Sequence, residues 1–146
     1  MSQVIQIGIH ESRGDKVRVM DTVEAVKGKG LVNNRHFKEN NEKKSQITLI
    51  EIENINYYNK ISKTQIPPIN FRRNIVTSGI RLNELLNKEF CIGKVRVKAH
   101  DLCRPCKYLQ EFLKQNNIIK EFLRKGGLRC EILSSGKIYI GDQLKC

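Results

Sequence analysis

Residues 94–99, Lys-Val-Arg-Val-Lys-Ala, alternate cationic and apolar side chains without a break. A period of two fits a strand with one buried and one solvated face. Such a strand needs paired neighbours and a core beneath its apolar side, so the rest of the chain must supply both. Short β-prone runs do so at residues 3–9, where Gly8 is expected to bend the strand, and at 16–20, 22–26, 46–50 and 71–80. Residues 128–132 and 137–140 flank Ser134-Ser135-Gly136 and read as a hairpin. A turn is expected at Ser12-Arg13-Gly14-Asp15 and a bulge or turn at Gly93, and residues 38–45 read as a polar, exposed loop. Helical periodicity is confined to residues 51–61, with Ile52, Ile55 and Tyr58 at steps of three, and to 107–115 and 118–125, where Gly126-Gly127 stops the last helix. Residues 82–86 add a helical turn or two. About seven or eight short strands with about three helices, not regularly interleaved, disfavour a doubly wound parallel sheet. They favour a mainly β single domain over residues 1–146, an antiparallel barrel or sandwich with helices in its connections.

With no Trp and 39% hydrophobic residues, the core must be mostly Ile, Leu and Val. No apolar run reaches the length of a membrane span. The first residues lack a basic and then apolar leader, so a soluble, cytoplasmic protein is expected, with no membrane partner. The five Cys, at 91, 103, 106, 130 and 146, are expected as free thiols. A net charge of +12 implies an anionic partner, either nucleic acid or a phosphorylated small molecule, although part of it is ordinary solvated surface. Lys27-Gly28-Lys29-Gly30 is not a phosphate-binding P-loop, because it lacks the Gly-Lys-Ser/Thr ending.

The clear strand runs into His100-Asp101-Leu102-Cys103-Arg104-Pro105-Cys106-Lys107, and a helix pattern follows. Pro105 keeps the backbone off the helical path until the second thiol. Three readings of the Cys pair are open. A zinc half-site would need two more ligands from Cys130, Cys91, His100 or His36. A redox dithiol fits the local strand–Cys-x-x-Cys–helix order but lacks a surrounding βαβ pattern. Two small thiols packed for burial alone is the plainest reading. Arg72-Arg73-Asn74 offers guanidinium forks for phosphate or carboxylate oxygens, against the alternative of surface ion pairs. On a strand, adjacent side chains point oppositely, so at most one of Arg72 and Arg73 should face a given pocket.

Taken together, several segments resemble the MOSC domain, named for the C-terminal domain of molybdenum cofactor sulfurase. They are Phe71-Arg72-Arg73-Asn74-Ile75-Val76, Phe90-x-Ile92-Gly93, and Leu102-Cys103-Arg104-Pro105-Cys106-x-x-Leu109. Gly28-x-Gly30-Leu31 with Asn34-Arg35-His36, residues 46–51, Gly126-Gly127-Leu128-Arg129 and Gly141-Asp142 resemble further family segments, in order, across nearly the whole chain. The resemblance implies a MOSC-type (pyruvate-kinase-like) β-barrel with about three peripheral helices and a link to the molybdenum cofactor, a molybdopterin with a dithiolene and a phosphate. Carried over residue by residue, Cys106 would ligate molybdenum, with Cys103 as a second reactive or resolving thiol. Arg72 and Asn74 would hold the cofactor, aided by Arg104, Ser45 and His36. Arg72 and Asn74 are two apart, so on a strand they would share a face. Two departures stand out: Asn33-Asn34 replaces the family's Gly-Asp, and Ser45 replaces an Arg.

Three functions follow from these readings. The first is a cofactor-binding or sulfur-carrying protein with Cys106 as its thiol, served by a desulfurase that donates sulfur. The second is a molybdenum-dependent reductase of N-hydroxylated compounds, supplied with electrons by a partner protein. The third is a non-catalytic basic module for zinc or nucleic acid. The small-molecule cofactor, rather than nucleic acid, is the expected partner.

Overall fold

A computed structural model describes residues 2–11 and 17–145. The expected turn at Ser12–Asp15 lies outside the described residues. The alternating run forms the strand Val95–Leu102 (β8), with Val95, Val97 and Ala99 fully buried. It pairs antiparallel with Glu89–Ile92 (β7) on one side and Leu128–Ile132 (β9) on the other. Beyond β9 come Ile47–Glu51 (β5), Ile75–Ser78 (β6), Gln3–Ile9 (β1) and Arg18–Met20 (β2). Leu144–Lys145 (β11) flanks β7 at the other end. Among the described residues the large sheet has eight strands, and β5–β6 is its parallel pair, joined through the helix Ile52–Ser62 (α1).

The large sheet curls into a half-barrel. Its ends approach each other: Val4 N–H donates to Asp142 O at 2.8 Å, Gly141 N–H donates to Val4 O at 2.8 Å, and Gln3 bridges Gln143. A three-stranded sheet, Gly136–Tyr139 (β10), Thr22–Val26 (β3) and Gly30–Leu31 (β4), packs beside it. The hairpin expected around Ser134-Ser135-Gly136 is therefore corrected. β9 pairs with β5 and β8, whereas β10 leaves the large sheet to pair with β3. Ser134 and Ser135 tie the crossing in place, their hydroxyls accepting from Arg96 N–H and Lys27 N–H.

Side-chain alternation divides the core in two. Leu49 and Ile75 point into the barrel with Val4, Ile7, Val97 and Leu128. Their neighbours Ile50 and Val76 point outward and meet Ile55 and Tyr58 of α1, Phe71, Leu109 of the helix Lys107–Leu113 (α2), and Ile118 of the helix Ile118–Glu121 (α3), with Phe122 just after it. The rings of Tyr58, Phe71 and Phe122 pack with centroids 5.0–6.4 Å apart. Tyr58 Oη donates to the side-chain oxygens of Gln115 and Asn117, which satisfies the hydroxyl at the core's edge.

Three local expectations differ. Gly126-Gly127 does not end the last helix, which stops at Glu121, before Arg124 turns left-handed at φ 63°. Gly127 instead sits at φ +102°, where a Cβ would collide with Leu49 O, and a Cβ on Gly126 would collide with Cys103 O. The pair lets the start of β9 lie directly against β5 and the Cys103 backbone. Gly8 does not bend β1: the irregular register falls between Val4 and Gln6, and a Cβ on Gly8 would strike Ile69 and Val17 side chains. Residues 38–45 are largely exposed as expected, but Asn41 is buried, its amide donating to Lys29 O and His36 O.

Candidate functional site

Two adjoining pockets open at the barrel rim, with cavity volumes of ≈290 and ≈430 Å³. They share His10, His36, Arg72 and Arg73. Among the described residues, the smaller one is lined by five cationic side chains, Lys44, Arg72, Arg73, Arg104 and Arg129, and by no carboxylate. Cys103 also lies in its wall; Cys106 lines the larger pocket beside Arg35 and Tyr108.

The backbone around Arg72 brings both arginines in. Pro67 holds φ −61° at the start of a 3-10 turn, Pro68–Phe71, and Arg72 closes that turn in the left-handed region at φ 64°. Its N–H donates to Ile69 O at 3.1 Å. The segment Arg72–Asn74 is therefore a reversal rather than a strand, and the expectation that only one Arg could face a pocket is corrected. The shared-face argument for Arg72 and Asn74 also lapses. A left-handed non-glycine costs about 1–3 kcal/mol and persists where surrounding structure fixes it. Here the buried Phe71 ring and the bonds of the next two residues do so.

Arg73 is held from behind. Its Nε–H donates to Gly126 O at 3.0 Å and Nη1 to Phe71 O at 3.2 Å. Arg129 is anchored by Nε–H to Lys44 O at 2.8 Å and reaches Ser45 Oγ at 3.4 Å. The guanidinium of Arg129 thus contacts the Ser that stands where the family carries an Arg. Arg104 Nη1 donates to Asp101 Oδ2 at 2.8 Å, and Lys44 Nζ lies 3.4 Å from the same oxygen. The Arg104 hydrogen bond, reinforced by the Leu102 N–H and the charges of Arg104 and Lys44, lowers Asp101 to about 2 against the opposing effect of desolvation.

Asn74 lines the smaller pocket, yet its side chain is occupied between strands. Its Oδ1 accepts from Thr48 N–H at 3.1 Å and Thr48 Oγ at 3.2 Å, and its Nδ2 donates to Gly8 O at 3.1 Å. It staples β1 to β5 beneath the arginines. The Asn33-Asn34 departure has a similar logic. Asn33 adopts φ +70°, a conformation glycine takes freely and asparagine better than most. Asn34 Oδ1 accepts from His10 N–H at 3.1 Å, a task an aspartate oxygen would also perform.

The two thiols differ. Cys103 is buried, and desolvation raises its pKa, partly opposed by Arg73 and Arg129. Cys106 is exposed, at the residue before α2. They line different pockets, and among the described residues no three His, Cys, Asp or Glu side chains converge to hold a metal ion, which leaves the zinc half-site without further ligands. His100, one of the ligands considered, is paired with Glu131 at 2.7 Å. His36 stands exposed at the lip; partial desolvation, then Arg35, Arg129 and Lys38, lower its pKa.

Cys103, Cys106, Arg72, Asn74, Arg104, Ser45 and His36 thus lie along one two-chambered groove. Sequence reasoning missed His10, Lys44 and Arg129 as partners of that groove, and allowed only one of Arg72 and Arg73 to face it. Arg129 carried a signal, since it ends the Gly-Gly-Leu-Arg segment. His10 carried none: its ring meets His36 edge-on at 6.1 Å only because β1 ends at Ile9 beside the residue 33–37 turn.

A mainly β half-barrel with helices on one flank and a basic, thiol-bearing groove at its rim is a different class of fold from a doubly wound parallel sheet. The chain belongs to the MOSC domain family, whose model matches residues 32–145. Among solved structures it is similar to YuaD of Bacillus subtilis, with TM-score 0.84 and 19% identity over 99% of this chain and 94% of that one. It is also similar to YiiM of Geobacillus stearothermophilus, with TM-score 0.81 and 16% identity over 99% of this chain and 74% of that one. YiiM of Escherichia coli matches at TM-score 0.72 and 16% identity, over 99% of this chain and 69% of that one. No curated protein sequence matches the chain. The family is associated with molybdenum cofactor sulfurase-like proteins. Among the described residues no helix is long and apolar enough to cross a membrane.

Proposed function

We propose that the groove binds the molybdenum cofactor, with the cofactor's phosphate among the arginines and Cys106 as the protein thiol that meets the metal. The observation that carries this reading is the wall of five cations, with no carboxylate among its described lining residues, adjoining a chamber edged by the exposed Cys106. The donor set fits the group. Guanidiniums suit a phosphate's oxygens, and a thiolate suits a sulfur-rich molybdenum centre. Arg73 and Arg129 are oriented by backbone carbonyls before any ligand arrives, so little ordering is left for binding to supply. When bound, the cofactor would supply atom-transfer chemistry at molybdenum. The chain's own part is to bind the anion and aim a thiol.

The exposure of Cys106 also supports a sulfur-carrying role, in which a desulfurase persulfide passes its outer sulfur to the Cys106 thiolate and leaves as a thiolate. Binding of purified molybdopterin, followed by its fluorescence, tests the main reading. Arg73→Ala and Arg129→Ala should each weaken binding by about tenfold, as loss of a charge-assisted phosphate contact does. Wild-type affinity retained in both variants would contradict it.

A further inference from the structure

Helix α2 starts one residue after Cys106 and carries Tyr108 and Phe112 one turn apart. Their rings lie nearly parallel, 17° apart with centroids at 6.2 Å, and both remain exposed. Exposed aromatics alone need no explanation. What distinguishes this pair is the cation it touches. The Arg72 guanidinium carbon lies 5.0 Å from the Phe112 centroid and 5.9 Å from that of Tyr108, within the ~6 Å reach of cation–π attraction. Arg72 is also the left-handed residue whose side chain lines both chambers. A flexible side chain in that position loses rotamer freedom when it meets a ligand, unless something has already restricted it.

We propose that Tyr108 and Phe112 are positioning residues: they hold the Arg72 guanidinium at the wall between the two chambers, ready to meet an anion among the arginines. The two contacts are compatible, because a guanidinium offers its face to a ring and its edge N–H groups to oxygens. The arrangement fastens the outer face of the helix that begins beside Cys106 to an anion-binding residue, as Leu109 fastens its inner face to the core. The proposal rests on the smaller chamber being an anion site and not on which anion fills it.

The test uses the full chain, inorganic phosphate titrated by calorimetry, and the NMR signal of Arg72 Nε–Hε, assigned with Arg72→Gln. Phe112→Leu and Tyr108→Leu should each weaken phosphate about two- to fivefold and shift the Arg72 signal out of the ring current. Phe112→Trp should restore both. In an Arg72→Gln background, Phe112→Leu should cost nothing further. An equal loss in both backgrounds would mean that the aromatics act through the helix rather than through Arg72, and would overturn the proposal; so would phosphate binding indifferent to Phe112. A wild-type chain that keeps the ring-current shift but binds no phosphate would overturn the anion site itself and the role built on it.

Discussion

Cys103 and Cys106 show how far three positions can separate two identical side chains. The strand geometry of β8 ends by burying Cys103 under Gly126, whereas Pro105 releases the backbone and leaves Cys106 outside. Iodoacetamide at neutral pH should therefore modify Cys106 and spare Cys103 and Cys130, which burial also keeps protonated, as read by peptide mass spectrometry. Equal labelling of Cys103 in the folded chain would contradict the burial. His36 gives a pH prediction. Its folded pKa lies below the ordinary 6.5, so the fold favours the neutral ring. The stability this lends is complete above pH 6.5 and declines as pH falls from there through the folded value. The ring is only partly desolvated, and salt screens the cations around it, so the effect is small. An NMR titration should place the midpoint below 6.5, and bound phosphate should raise it by reversing the local field. That Cys106, Arg72 and His36 come together around one pocket was legible in the sequence through the family resemblance. The left-handed turn at Arg72 was not, because nothing in Phe-Arg-Arg-Asn demands it; the preceding Pro67-Pro68 and the burial of Phe71 impose it.

At the scale of elements, the glycine pair before β9 and the asparagine before β6 do the joining that strand pairing alone cannot. Gly127→Ala should destabilise by about 3 kcal/mol or more, since it combines a positive φ with a collision against the backbone of β5. Asn74→Ala should cost about 2–4 kcal/mol, because it leaves Thr48 N–H and Gly8 O without the partner they have now. Urea unfolding reads both, and a change under about 0.5 kcal/mol in either would contradict these roles. The strand β8 and the helices α1 and α2 were legible because their signals are periodic and local. The partners of β9 and β10 were not. Ser-Ser-Gly marks a turn, but it does not say that the chain leaves one sheet for another, and β10 finds β3 more than a hundred residues away in sequence, Tyr139 opposite Thr22. Even the shortened last helix has a tertiary cause: Phe122 packs on Tyr58 and Phe71, and the chain then turns at Arg124. Phe122→Ala should cost about 3–5 kcal/mol by opening that cluster.

The whole molecule places its basic groove where the ends of β1 and β8, the start of β6, and β5 and β9 converge, with the start of α2 along one side. The net charge of +12 is thus partly concentrated by the fold into five cations around one chamber. Composition showed the charge but not its focus; only the Arg72 reversal and the anchoring of Arg129 by Lys44 O gather it. The central claim is that this groove holds a molybdenum-bearing cofactor with Cys106 on the metal, and elemental analysis tests it most directly. Protein purified from a cofactor-competent host should carry about one molybdenum per chain with matching pterin fluorescence, lost in Cys106→Ser and kept in Cys103→Ser. A wild-type chain free of molybdenum, or a Cys106→Ser chain that keeps its full content, would contradict the account.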